Sequence, residues 1–68
     1  METGVVKWFS ESRGYGFIAP HTGGDDVFAH YSAIEMDGYK TLREGQQVVF
    51  LRAEGPKGPE ASRIRAIG

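Results

Sequence analysis

The sequence predicts an all-β domain, a small barrel or sandwich built from five short strands. Three observations lead there. Ten glycines and three prolines interrupt the chain at short intervals. The runs between those breaks are rich in Val, Ile, Phe, Tyr and Trp, the residues that suit a pleated, half-buried surface. No stretch between breaks leaves room for a full helix.

Taken in order, the strand candidates are Gly4–Ser10, Tyr15–Ala19, Asp26–Tyr31, Gln47–Ala53 and Ala61–Ile67. Turn chemistry separates them at Ser12 to Gly14, Pro20 to Gly24, Asp37-Gly38, Glu44-Gly45 and Gly55 to Pro59. One helical turn is expected at Ser32–Met36, with Ser32 as its N-cap and Glu35 at the third helical position. With 68 residues the chain is one small domain, able to bury only about 60% of its surface on folding. A closed barrel also hides most sheet edges, which matters for an all-β chain this short.

Composition narrows the function classes. Hydrophobic residues at 40% and charged residues at 25% describe an ordinary folded domain. The absence of cysteine excludes a disulfide framework and thiolate zinc sites, and it fits a reducing compartment. No apolar run approaches the roughly 20 residues that span a bilayer. The opening METGVVKWFS lacks the basic-then-apolar order of a signal peptide, so a cytoplasmic location without membrane attachment is expected. The net charge of −1 does not decide the partner, because its distribution is uneven. Asp25, Asp26, Glu35 and Asp37 are the charges between Gly23 and Gly38, whereas cations outnumber anions from Tyr39 onward.

The second and third runs carry the functional signal. In GYGFI, period-two alternation sets Tyr15 and Phe17 on one face, with Gly14, Gly16 and Ile18 on the other. In DVFAHY it sets Phe28 and His30 on one face, with Val27, Ala29 and Tyr31 on the other. Val6, Ile18, Val27, Ala29, Val48, Phe50 and Ile64 already supply enough volume for a narrow barrel interior. Adding Tyr15, Phe17, Phe28 and His30 to that interior overpacks it and buries a phenol and an imidazole that need partners. Those rings are therefore expected to face outward as a contiguous patch. Gly14 and Gly16 then fall on the inner side, where they serve either a close approach or a bend.

Exposed rings in a row stack on unpaired bases, each stack being worth ~1–3 kcal/mol, and neighbouring cations meet the phosphates. Lys7, Trp8, Phe9 and Arg13 precede Tyr15 and Phe17 in this interleaved pattern. Strict alternation sets Trp8 on the Val6 face, so Trp8 joins the outer row only if the first strand twists or bulges. The fourth run raises a similar problem. Val48 to Leu51 are consecutive apolar residues, and alternation expects Arg52 to point inward, so the strand either bulges or ends before it.

Several blocks resemble the bacterial cold-shock proteins: VVKWFS at Val5–Ser10, RGYGFI at Arg13–Ile18, DDVFAHYSAI at Asp25–Ile34, GYKTLREGQQVVF at Gly38–Phe50 and GPKGPEA at Gly55–Ala61. The second and third look like that family's two ribonucleoprotein motifs. The resemblance implies that residues 1–68 form one cold-shock domain, a five-stranded antiparallel Greek-key barrel of the oligonucleotide/oligosaccharide-binding (OB-fold) type. It implies binding of single-stranded RNA and single-stranded DNA, RNA-chaperone activity, and effects on transcription termination or translation. Carried over by position, it implies stacking by Trp8, Tyr15, Phe17, Phe28, His30, Tyr31 and Tyr39. It further implies backbone or base-edge contacts from Lys7, Arg13 and Lys57, a polar base contact from Asp26, and Phe9 as a partly exposed neighbour. Ser10, Arg13, Tyr15, Tyr31 and Tyr39 depart from the residues usual in the family. Tyrosine keeps the stacking face, and a guanidinium can itself stack on a base.

Other constellations are weak. His21, Asp25, Asp26 and His30 match no metal-ligand spacing, and HTGGDD reads as a solvated turn. Asp25 and Asp26 point to opposite faces of any strand, and no nucleophile-elbow pattern is present. The expectation is a monomeric, non-enzymatic binding module with no metal and no cofactor. The alternative is a barrel of the same type that recognises protein or oligosaccharide through its aromatic patch.

Overall fold

A computed structural model describes residues 1–67. Five strands form in the expected order: β1 at Glu2–Ser10, β2 at Tyr15–Pro20, β3 at Val27–His30, β4 at Gln47–Gly55 and β5 at Gly58–Ala66. They close into a barrel in the order β1-β2-β3-β5-β4. Four of the five pairings are antiparallel. The fifth, β3 with β5, is parallel through Phe28 and Glu60, and a parallel bridge between Ile34 and Ile64 extends it. The barrel is thus mostly antiparallel, with a parallel seam where the last strand meets the third.

All seven residues expected in the interior are no more than 1% exposed. Ile34, Leu42 and Ala61 join them in one buried cluster. Ile34 and Leu42 lie outside the strands, so a search for period-two runs passes over them. Each fully buried aliphatic or Phe side chain contributes about 1.5–3 kcal/mol relative to exposure.

The helical turn differs from expectation. A single 3-10 turn covers Tyr31–Ala33, and its N-cap is His30 rather than Ser32. Ile34 is already extended, with φ −80° and ψ 123°. Burying Ile34 beside Ile64 requires that extension, and a helix through Met36 would carry its side chain out of the core. Glu35 consequently caps nothing. It pairs with Arg63 at 3.3 Å and Arg65 at 3.1 Å on β5.

Two bulges adjust the sheet. In β1, Val6 opposes Ile18 and Trp8 opposes Phe17, which leaves Lys7 as the extra residue. On the other side of the barrel, Val49 opposes Arg65 and Leu51 opposes Ser62, so the extra residue belongs to β5. Arg63 there has φ 51°, the left-handed conformation that an inserted bulge residue adopts. The fourth strand therefore neither ends before Arg52 nor carries the inserted residue, contrary to both expectations. β4 itself runs on to Gly55, beyond the end of its pairing with β1, and Arg52 reaches back to Glu2.

Candidate nucleic-acid interface

The β1 bulge decides the composition of the outer face. By inserting Lys7, it turns Trp8 to the side opposite Val6 and sets it directly across from Phe17. Register then aligns Tyr15 with His30 and Phe17 with Phe28 across β2 and β3. Directly opposed residues share a face, so five rings from three strands meet outside the barrel. Trp8 lies 5.4 Å from Phe17 and 5.7 Å from Tyr15, centroid to centroid. Tyr15 stacks on Phe28 at 5.6 Å with 29° between planes, and Phe17 meets Phe28 edge-on at 5.7 Å. His30 continues the row, 6.4 Å from Phe28.

Tyr31 extends it by a different route. Alternation alone would carry Tyr31 inward with Val27 and Ala29, but β3 ends at His30. The 3-10 turn swings the phenol out, where it lies 4.6 Å from the His30 ring. Gly14 makes room for it: a Cβ at that position would stand 2.8 Å from Tyr31 Cδ1, and its φ of +78° suits the turn between β1 and β2. Tyr31 is 49% exposed and Trp8 41%, while the rings between them are half-buried by one another's edges.

Of the two expected roles, close approach or a bend, Gly16 serves close approach. A Cβ there would strike the carbonyl oxygen of Trp8 and lie 2.7 Å from Phe9 Cα. Phe9, opposite Gly16, is half-buried and packs against the core. Among the expected site residues, Phe9 thus lies on the inner side of β1, away from the ring row. The bulge that turns Trp8 out necessarily turns Phe9 in, because successive side chains alternate.

Charged groups border the rings. Lys7 Nζ lies 3.0 Å from Asp26 Oδ2, so a residue expected to contact the backbone or base edges and one expected to contact a base are paired with each other. Lys57, in the turn between β4 and β5, places its ammonium 6.0 Å from the Phe28 centroid. That is the outer range of a cation–π contact. Lys57 and Asp26, with Pro59, complete the rim of a groove of about 410 Å³ floored by Trp8, Tyr15, Phe17 and Phe28. Pro59 was not among the expected residues, and only its place in the Gly/Pro turn hinted at it.

Arg13 and Tyr39 lie elsewhere. They line a second groove of about 460 Å³ between the β1–β2 turn and the long loop before β4, and Tyr31, whose ring contacts His30, lines it too. Lys40 and Gly38 also line it and were not anticipated. Tyr39 is 69% exposed, and a hydrogen bond from Thr41 Oγ1 to Glu11 Oε2 at 3.2 Å ties its loop to the β1–β2 turn. The two histidines considered for a metal are engaged separately, His21 with Thr3 Oγ1 at 2.9 Å and His30 with Ser32.

Fold and site together define a small β-barrel that presents aromatic rings, bordered by cations, from β1, β2 and β3. The family model described as "'Cold-shock' DNA-binding domain" matches residues 2–67, and the chain belongs to that family. It is 57% identical over 67 residues to Cold shock-like protein CspA of Bordetella pertussis (strain Tohama I), covering 98% of this chain and all of the relative. It is 59% identical over 64 residues to Cold shock-like protein CspD of Escherichia coli (strain K12), covering 94% of this chain and 86% of that one. Among solved structures, Drosophila Unr CSD456 matches with a TM-score of 0.78 at 21% identity. That match covers 98% of this chain and about a quarter (26%) of the other, and it bears on fold alone. Cold-shock proteins are nucleic-acid-binding proteins and not enzymes, so membership gives this chain the same general activity. Among the described residues no helix is long and apolar enough to cross a membrane.

Proposed function

We propose that this protein binds single-stranded RNA and single-stranded DNA by stacking unpaired bases on Trp8, Tyr15, Phe17, Phe28, His30 and Tyr31, and that it acts as an RNA chaperone. The observation that carries this reading is the unbroken succession of ring contacts from Trp8 to Tyr31 on one outer face. A strand crossing that face passes Lys7, Lys57 and Asp26 on its rim and reaches Arg13 and Tyr39 in the adjoining groove. Phe9 acts from beneath, holding the backbone of β1 against Gly16.

The chaperone action is passive. The sequence has no GxxxxGK[ST] phosphate loop to couple nucleotide hydrolysis to unwinding. Each base stacked on an aromatic ring is worth ~1–3 kcal/mol, and each base-pair step opened costs about 1.4 kcal/mol on average. Trapping a few transiently unpaired nucleotides therefore offsets the opening of a weak hairpin, whereas a long duplex stays closed. Holding transcripts open in this way in the cytoplasm, as a monomer, is the route by which the protein would affect transcription termination or translation.

The test is a titration followed through Trp8, the sole tryptophan and a member of the ring row. A short pyrimidine oligonucleotide is expected to quench its fluorescence, and the same sequence locked in a stable duplex is not. Equal responses to both, or quenching by an oligosaccharide and by neither nucleic acid, overturn the reading.

A further inference from the structure

His30 ends β3 and lies across from Tyr15, its ring between those of Phe28 and Tyr31. Its Nδ1 has two partners, both from Ser32. The Ser32 hydroxyl oxygen lies 2.8 Å away, and the Ser32 backbone N–H donates to the same nitrogen over 3.3 Å. A backbone N–H can only donate, so Nδ1 is the acceptor and the ring proton of the neutral imidazole resides on Nε2. These bonds also make His30 the cap of the 3-10 turn, tying the ring's orientation to the backbone that follows it.

We infer that Ser32 is a positioning residue for strand recognition: it holds His30 as the Nε2–H tautomer, with that donor edge turned away from Ser32 and free to meet an acceptor oxygen of the bound strand. This rests on the base-stacking reading above. The hydroxyl makes the shorter of the two bonds; with only the 3.3 Å bond from the backbone N–H, which alanine at position 32 keeps, the ring rotates and exchanges tautomers more readily, offering a donor at one moment and an acceptor at the next. With Ser32 it offers one fixed donor beside the Phe28 face. The acceptor it fits is a phosphate oxygen or a base carbonyl oxygen, which share the same hydrogen-bonding chemistry.

The experiment compares the parent protein with Ser32→Ala and Ser32→Thr. Long-range 1H–15N spectra of the unliganded proteins, at mildly alkaline pH where imidazoles are neutral, report which ring nitrogen is protonated. The parent and S32T are expected to show the Nε2–H form alone, and S32A a mixture. Affinity for oligo-dT, read through Trp8, is expected to fall roughly three- to tenfold in S32A and to recover in S32T, the effect of losing one oriented hydrogen bond. With a methylphosphonate-backbone oligo-dT, a vanished difference between parent and S32A assigns the acceptor to phosphate, and a retained one assigns it to a base carbonyl. A pure Nε2–H tautomer in S32A, or unchanged oligo-dT affinity beside a mixed tautomer, overturns the inference. Failure of the parent protein to bind oligo-dT sinks the base-stacking reading instead, and the spectra of the free proteins still decide whether Ser32 fixes the ring.

Discussion

Lys7 and Asp26 form an ion pair, Nζ to Oδ2 at 3.0 Å, across the edge of the ring face. One cation bordering the site is thereby neutralised within the free protein. Both side chains are exposed, so the pair itself contributes little to stability, about 0–1 kcal/mol. Its effect falls on salt dependence. If Lys7, Arg13 and Lys57 each met one phosphate, the log–log salt slope for a single strand would be about −2. Lys7 contributes less while it remains paired with Asp26. Asp26→Asn is therefore expected to steepen the slope for oligo-dT by up to about 0.7 and to tighten binding at low salt. Titrations of both proteins at several salt concentrations check this, and parallel slopes would show that Asp26 does not hold Lys7 back from phosphate.

Phe17 and Phe28 stand opposite each other in adjacent strands, on the outside of a barrel whose interior they do not fill. Removing either ring takes away a face proposed to stack on bases but no core volume. Phe28→Ala is expected to weaken oligonucleotide binding by ~1–3 kcal/mol, a loss of roughly five- to 150-fold. Its stability cost is about 0.5–1.5 kcal/mol, the worth of lost aromatic pairing. Fluorescence titration and a thermal melt separate the two effects. A variant that unfolds while losing its binding would show the ring to be structural.

Gly16→Ala should do the reverse. The added methyl would meet the Trp8 carbonyl oxygen and Phe9 Cα, both backbone atoms that cannot swing aside as a flexible side-chain tip does. Overpacking of this kind costs about 1–3 kcal/mol. In a domain of this size each kcal/mol lowers the melting temperature by roughly 4–8 °C. Calorimetry on G16A is the check, and an unchanged melting temperature would mean that β1 and β2 separate more easily than their register implies.

Much of this was legible beforehand because period-two alternation and side-chain volume are local properties. Val6, Ile18, Val27, Ala29, Val48, Phe50 and Ile64 could be assigned to the interior from those alone, and the outward Tyr15, Phe17, Phe28 and His30 followed by exclusion. Bulges are less visible, since an inserted residue leaves no compositional mark. Lys7 looks like any strand lysine, the inserted residue beside β4 lies on β5 at Arg63, and Arg52 is exposed because β4 runs beyond its pairing with β1. Ile34 shows a third limit. Its burial depends on Ile64, thirty residues later, and that long-range contact shortens a turn which local capping signals would prolong. The pairing of Lys7 with Asp26 was hidden for the same reason, because side chains 19 positions apart meet only once the barrel has closed.

Glu2 and Arg52 close the barrel at its other edge. The guanidinium donates through Nε at 2.7 Å and Nη2 at 2.8 Å to the two carboxylate oxygens, joining the first residue of β1 to β4. This two-pronged bond holds the Glu2 carboxyl below its ordinary range and raises Arg52 above its own. A carboxyl whose pKa is lowered on folding stabilises the fold fully above its unfolded value of about 4.3, and that contribution disappears as pH falls through the lower folded value. Because the pair faces solvent, salt should weaken it at any pH. Glu2→Gln is thus expected to melt below the parent at neutral pH and low salt. The difference should shrink in high salt and vanish at acid pH, where the parent carboxyl is also protonated. Melting curves between pH 7 and about pH 2, at two salt concentrations, test both dependences. If E2Q and the parent melt together at neutral pH, the ion pair contributes nothing to barrel closure, and the β1–β4 seam rests on its backbone hydrogen bonds.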